Sequence, residues 1–202
     1  MTTTLNLEII KGSTFSRVLR WAAPPYIYKA ITAISKAAPA SLTVTAHGLV
    51  DGWRVAVTSV VGMRQINAKY SPPRTTDYHK ATVVDGNTIT LNDVNSSLYT
   101  TYTSGGYIQY LTPVNMASYT ARMMIRTTPL TTGDPLVSLT TENSGIAIDN
   151  TAKTITVTMT ATATAALTFL SGSYDLELVS SGGVVTKLLS GSISVTAETT
   201  RT

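Results

Sequence analysis

Apolar and polar positions alternate along most of this chain with a period of two, the spacing of a β-strand with one buried face. In Tyr119–Arg126, the residues Tyr119, Ala121, Met123 and Ile125 share one face, and Thr120, Arg122, Met124 and Arg126 the other. Ile155, Val157 and Met159 alternate with threonines, and Tyr174, Leu176 and Leu178 with Asp175 and Glu177. Leu42–Thr45, the Trp53-Val55-Val57 face and Thr88–Leu91 repeat the pattern, with Asp51-Gly52 and Asp85-Gly86-Asn87 as turns. Leu5–Ile10 and Thr14–Trp21, on either side of Lys11-Gly12-Ser13, predict a hairpin. Ala161–Leu167 is the one candidate helical stretch. Short strands at such spacing predict an all-β fold of sandwich type.

Two stretches break the pattern. Ala22-Ala23-Pro24-Pro25 cannot continue a central strand. Lys69–Lys80, with Pro72-Pro73 inside it, is polar and aperiodic and predicts a long exposed loop. Composition agrees with the strands. Charged residues are 13% of the 202, and the chain holds 37 threonines and 19 serines. β-Branched, hydroxyl-bearing residues suit a pleated, half-buried surface, and a helix bundle or a disordered chain is excluded.

The net charge of +4 is scattered, so the clustered basic face of a nucleic-acid binder is not expected. Arg54, Arg64, Lys69, Arg74 and Lys80 do lie near Tyr70 and Tyr78 in sequence, interleaved with Asp51, Asp77, Asp85 and Asp93. No apolar run is long enough to span a membrane. Met1–Asn6 has neither the charged start nor the apolar run of a signal peptide. Synthesis in the cytosol is the expectation.

With no cysteine there is no disulfide, thiolate zinc site or cysteine nucleophile. His47 and His79 stand 32 residues apart and suggest no metal-ligand spacing. His47, before Gly48, is expected to shape a turn, and His79 to be exposed. Asp175/Glu177 and Asp85/Asp93 are the obvious carboxylate pairs, with Asp175/Glu177 on a solvent face. No catalytic, cofactor or metal residues are expected, and no enzyme. Trp21 and Trp53 are core candidates. Tyr26 and Tyr28, after the proline pair, are hard to bury; with Arg74, Tyr78, Tyr99 and Tyr102 they are the candidate protein-contact residues. Tyr99, Tyr102 and Tyr107 with the polar loop are an alternative stacking platform for carbohydrate.

Tyr119–Arg126, Leu139–Asn143 and Gly172–Leu178, with Lys11-Gly12-Ser13-Thr14-Phe15 and Trp21, resemble the N-terminal domain of the baseplate upper protein of tailed phages. In that family the hairpin leads almost directly into the strand matching Tyr119–Arg126; here about 90 residues intervene. The resemblance implies an immunoglobulin-like β-sandwich of residues 1–28 and 111–202, interrupted by an inserted small β-barrel-like module of residues 29–110. Within that module, Ala46–Gly52, Val60–Asn67 and Tyr102–Gly106 are similar to a β module of phage tail proteins and to the half-domain beside the catalytic cysteine of ubiquitin-activating enzymes. The chain departs from it after Asn67, where Lys69–Lys80 replaces a short turn.

Neither resemblance brings a catalytic residue. Together they imply a virion protein: a tail or baseplate adaptor joining tail proteins to fibre or receptor-binding parts, repeated as a homo-oligomer in a symmetric ring. Its expected partners are other phage structural proteins. A head or neck connector or decoration protein, and a carbohydrate-binding module, are the alternatives.

Overall fold

The computed structural model describes residues 3–198. In chain order the strands are β1 (Thr3–Thr4), β2 (Leu7–Ile10), β3 (Phe15–Leu19), β4 (Ala22–Ala30), β5 (Ala33–Ile34), β6 (Ala40–Thr43), β7 (Arg54–Val61) and β8 (His79–Asp85). They continue as β9 (Thr88–Leu91), β10 (Ser104–Pro113), β11 (Thr120–Arg126), β12 (Val137–Thr140), β13 (Ile146–Asp149), β14 (Thr154–Met159), β15 (Ser171–Val179) and β16 (Val185–Thr196). One short helix, α1 (Ala161–Ala165), falls inside the predicted helical stretch, its first turn capped by the Thr160 hydroxyl. No helix among the described residues is long and apolar enough to cross a membrane.

The chain divides into two compact units, residues 1–21 with 114–202, and residues 22–113. The first unit is a β-sandwich. One sheet runs β1-β16-β15-β11-β12, with β2 also on β16; the other runs β13-β14-β3. Their inner faces meet in one core: Met123, Ile125, Leu176 and Leu178 from the larger sheet, Ile155, Val157 and Met159 from the smaller. Period two places them, so threonines fill the outer positions of β14, and Asp175 and Glu177 lie outward, paired with Lys187 and Arg122.

The predicted N-terminal hairpin does not form. Gly12, at φ +80°, turns the chain, but β2 then pairs parallel with β16 while β3 pairs with β14 in the other sheet. Each strand buries its apolar row against a different partner, and the turn carries the chain across the sandwich. Leu5 is docked at this edge through its carbonyl, which accepts from the Tyr174 hydroxyl at 2.7 Å. That carbonyl lies so close to Gly191 that a Cβ there would sit 2.1 Å from it.

The second unit is a seven-stranded sheet in the order β4-β10-β7-β8-β9-β6-β5. Its two end strands, β4 and β5, are separated in sequence only by Ile31 and Thr32, so the sheet curls back on itself around one core. Leu42, Val57, Ile89, Ile108 and Tyr110 are all buried there, as is Trp53, whose indole N–H donates to Leu111 O. The unit begins at Ala22 rather than at residue 29, because the β4–β10 ladder extends from Ala30↔Tyr107 to Ala22↔Pro113, resuming at Ala23 beyond a slip at Pro24 and Pro25. Pro24 and Pro25 are accommodated because β4 is an end strand and its register slips there, between Leu111 and Thr112.

The close approach at Gly191 generates a test. Gly191→Ala is expected to cost about 1–3 kcal/mol, with faster hydrogen exchange in residues 3–10 and little change in 22–113. Unchanged exchange in β1 and β2 would contradict the docking described.

Candidate functional site

The outer face of β4, β10 and β7 carries the most distinctive chemistry of the second unit. Ile27, Ile108, Tyr110 and Val57 turn inward, so alternation turns Tyr26, Tyr28 and Gln109 outward, with Tyr28 opposite Gln109 and Tyr26 opposite Leu111. An outward glutamine would ordinarily be wet, yet Gln109 is only 5% exposed. The segment from Asn67 to Tyr78 lies over it, and the Gln109 amide donates to the Tyr78 hydroxyl at 3.4 Å.

That segment is mostly exposed, as expected of Lys69–Lys80, and it is also internally hydrogen-bonded. The Asn67 amide makes two bonds to the backbone of Val60, at 2.8 and 3.0 Å. Ala68 N–H donates to Val57 O at 2.7 Å. Arg54 donates to the carbonyls of Thr75 and Tyr78, both at 3.0 Å. At the centre is Asp77, a buried carboxylate that accepts from Arg74 N–H at 2.7 Å and Lys69 N–H at 3.1 Å, and also from the backbone of Tyr70. These donors, the Arg74 amide foremost, hold its carboxyl below the usual range.

Between this rim and the strands lies a cleft of about 720 Å³. Tyr26, Tyr28 and Tyr70 supply aromatic walls, Pro72 and Pro73 the outer lip, and Thr58, Ser59 and Gln109 polar groups. Tyr28 is 56% exposed and Tyr26 43%. The Arg74 guanidinium lies 3.9 Å from the centre of the Tyr70 ring, with the Lys69 ammonium at 5.8 Å. Burial and the neighbouring Tyr26 and Tyr28 phenols push the Tyr78 hydroxyl up to about 12.

The structure therefore brings Tyr26, Tyr28, Arg74 and Tyr78 to one place, and adds Tyr70 and Gln109. Tyr70 was legible as an aromatic beside cations. Gln109 was not singled out, although a polar residue at an outward position between buried Ile108 and Tyr110 is a signal for it. Tyr99 and Tyr102 do not join the cleft. Both pack against the core of the unit, and the Tyr102 hydroxyl is engaged with Ile31 O at 2.9 Å. Both remain partly exposed.

The histidines are occupied. Nδ1 of His47 accepts from Leu49 N–H at 3.0 Å, so Nε2 carries the proton and donates to Asp85 O at 2.7 Å. His47 is 1% exposed, and its own carbonyl accepts from the Tyr110 hydroxyl, so it ties a turn to the core. His79 pairs with Asp93 at 2.8 Å, and Asp85 accepts from Asn87 N–H. Among the described residues, no group of three or more histidine, aspartate and glutamate side chains is placed to hold a metal ion.

No protein-family model matches the chain, and no curated protein is significantly similar to it in sequence.

Two outcomes follow from the titratable groups. Because the Asp77 carboxyl is held low, its contribution is complete above the ordinary value of 3.8 and lost as pH falls through the lower folded value. Protection of the Lys69, Tyr70 and Arg74 amides, taken relative to the intrinsic exchange rate at each pH, should accordingly hold at neutral pH and fall in acid, and Asp77→Asn should lower it at neutral pH and converge with the parent in acid. Equal protection in the variant would remove Asp77 from its central position. Tyr78 has the opposite sign: its contribution is present below the ordinary 10.0 and lost as pH rises towards 12. Ultraviolet titration of Tyr78→Phe should lack one late-ionising phenol, and its stability should fall less between pH 10 and 12 than that of the parent.

Proposed function

We propose that the chain is a structural component of a tailed-phage virion, specifically a tail or baseplate adaptor between tail proteins and fibre or receptor-binding parts. The observation that carries this reading is the division of the chain. Residues 1–21 and 114–202 close one sandwich core, while 22–113 close a separate core. One polypeptide thus offers two independently packed bodies, which is what a joining part needs.

The segments that resemble baseplate proteins support the reading by their positions. Tyr119–Arg126 contains β11, paired on both sides within the larger sheet, and Gly172–Leu178 lies in β15 beside it. Lys11–Phe15 includes the turn between the two sheets. These are framework positions, where a sequence is constrained by the fold it has to make. On this reading the sandwich is immunoglobulin-like, 22–113 is an insertion into it, and copies repeat around the particle axis. β13 is an end strand at which neighbours can pair, whereas the Asn143 amide already accepts from Thr140 N–H and donates to Ser138 O on β12.

Immunogold labelling of purified particles with antibody to this chain tests the proposal. Label at the tail tip or baseplate is the expected result. Label on the head or neck would replace the adaptor role by a connector or decoration role, and no label on any particle would overturn the virion reading.

A further inference from the structure

We propose that the tyrosine cleft of residues 22–113 is a binding site for a neutral saccharide chain. A sugar ring presents a face of C–H groups and an edge of hydroxyls. It is recognised by aromatic faces together with uncharged hydrogen-bonding groups in a concave site. The cleft offers that combination. Three tyrosine rings, Tyr26, Tyr28 and Tyr70, meet over Thr58, Ser59 and Gln109, and no residue lining it carries a formal charge.

The site is also pre-organised. Tyr26 and Tyr28 stand two residues apart on one face of β4, so their Cα atoms are about 7 Å apart along it. The Gln109 amide is held by the Tyr78 hydroxyl. Tyr70 is held from one side by Arg74, and the rim is pinned through Asn67 and Asp77.

Other ligand classes fit less well. A nucleic-acid strand needs cations along its backbone track, whereas Arg74 and Lys69 cluster over Tyr70 alone. A proline-rich peptide needs apolar slots between aromatic rings, whereas here the hydroxyls of Thr58, Ser59 and Ser71 and the amides of Asn67 and Gln109 share the lining with the rings. The inference does not rest on the virion reading, and particle labelling leaves it untouched.

The test is nuclear magnetic resonance titration of the isotope-labelled full chain with maltohexaose, cellohexaose, chitohexaose and neutral galactan fragments. A polyuronate, a proline-rich peptide and oligothymidylate represent the other classes. At least one neutral oligosaccharide is expected to shift the amides of Tyr28, Tyr70 and Gln109 saturably. Tyr28→Ala and Tyr70→Ala should each weaken that binding about tenfold or more, on the scale of aromatic stacking. Tyr107→Ala, at an exposed tyrosine that does not line the cleft, should leave it unchanged. Tyr28→Phe keeps the ring and should stay within a few-fold of the parent, which separates stacking from misfolding. Absence of saturable shifts with every neutral oligosaccharide would overturn the proposal. So would binding that survives both alanine variants, or tighter binding of any of the other classes.

Discussion

The ladder between β4 and β10 is the constraint on which the second unit and its cleft depend. It pairs Ala22–Ala30 with Tyr107–Pro113 on either side of the slip at Pro24 and Pro25, so that both ends of residues 22–113 are held in one pair of strands. Alternation along that pair decides the rest. Ile27, Ile108 and Tyr110 must face the core, and Tyr26, Tyr28 and Gln109 are therefore forced outward together. Even the proline pair obeys it: the slip in register takes up Pro24 and Pro25, and the Thr112 hydroxyl donates to Pro25 O at 2.7 Å beside the slip.

The period of the strands was legible in the sequence, and their partners were not. Thr154–Met159 and Tyr174–Leu178 bury the residues their alternation selects, because a one-residue error would turn every apolar side chain to water. Leu5–Trp21 has the same alternation and a turn at Gly12, but alternation is indifferent to whether the next strand lies alongside or in the facing sheet. The Lys69–Lys80 stretch is mostly exposed, as its polarity predicts, but its internal order was not legible. A polar, aperiodic segment reads as exposed, yet Asp77 is buried because backbone amides surround it; the satisfaction is local and leaves no periodic trace. Tyr26 and Tyr28 were recognisable as hard to bury, while Tyr99 and Tyr102 looked similar and were absorbed by the core.

Charge contributes little to this architecture. The ion pairs seen, Arg122–Glu177, Lys187–Asp175 and His79–Asp93, are at least partly exposed, and such pairs add little stability. Side-chain hydroxyls and amides take over the work of fixing turns. Ser96 bonds Ser35 O and Ala37 O, and Thr164 bonds Ser13 O. A surface held in this way depends weakly on ionic strength, since dipoles are screened less than separated charges.

The pairing of β2 with β16 has a consequence for the order in which the chain takes shape during synthesis. The bond from Ser192 N–H to Asn6 spans 186 residues, among the most distant contacts a chain of this length can make. A ribosome finishes residues 22–113 long before it reaches β16, so the smaller body can collapse while the first strands still wait for their partner. The sandwich is then the slow step, set by contact order rather than by strand propensity. Until it closes, β2 is an unpaired strand that the same edge of another nascent copy can capture.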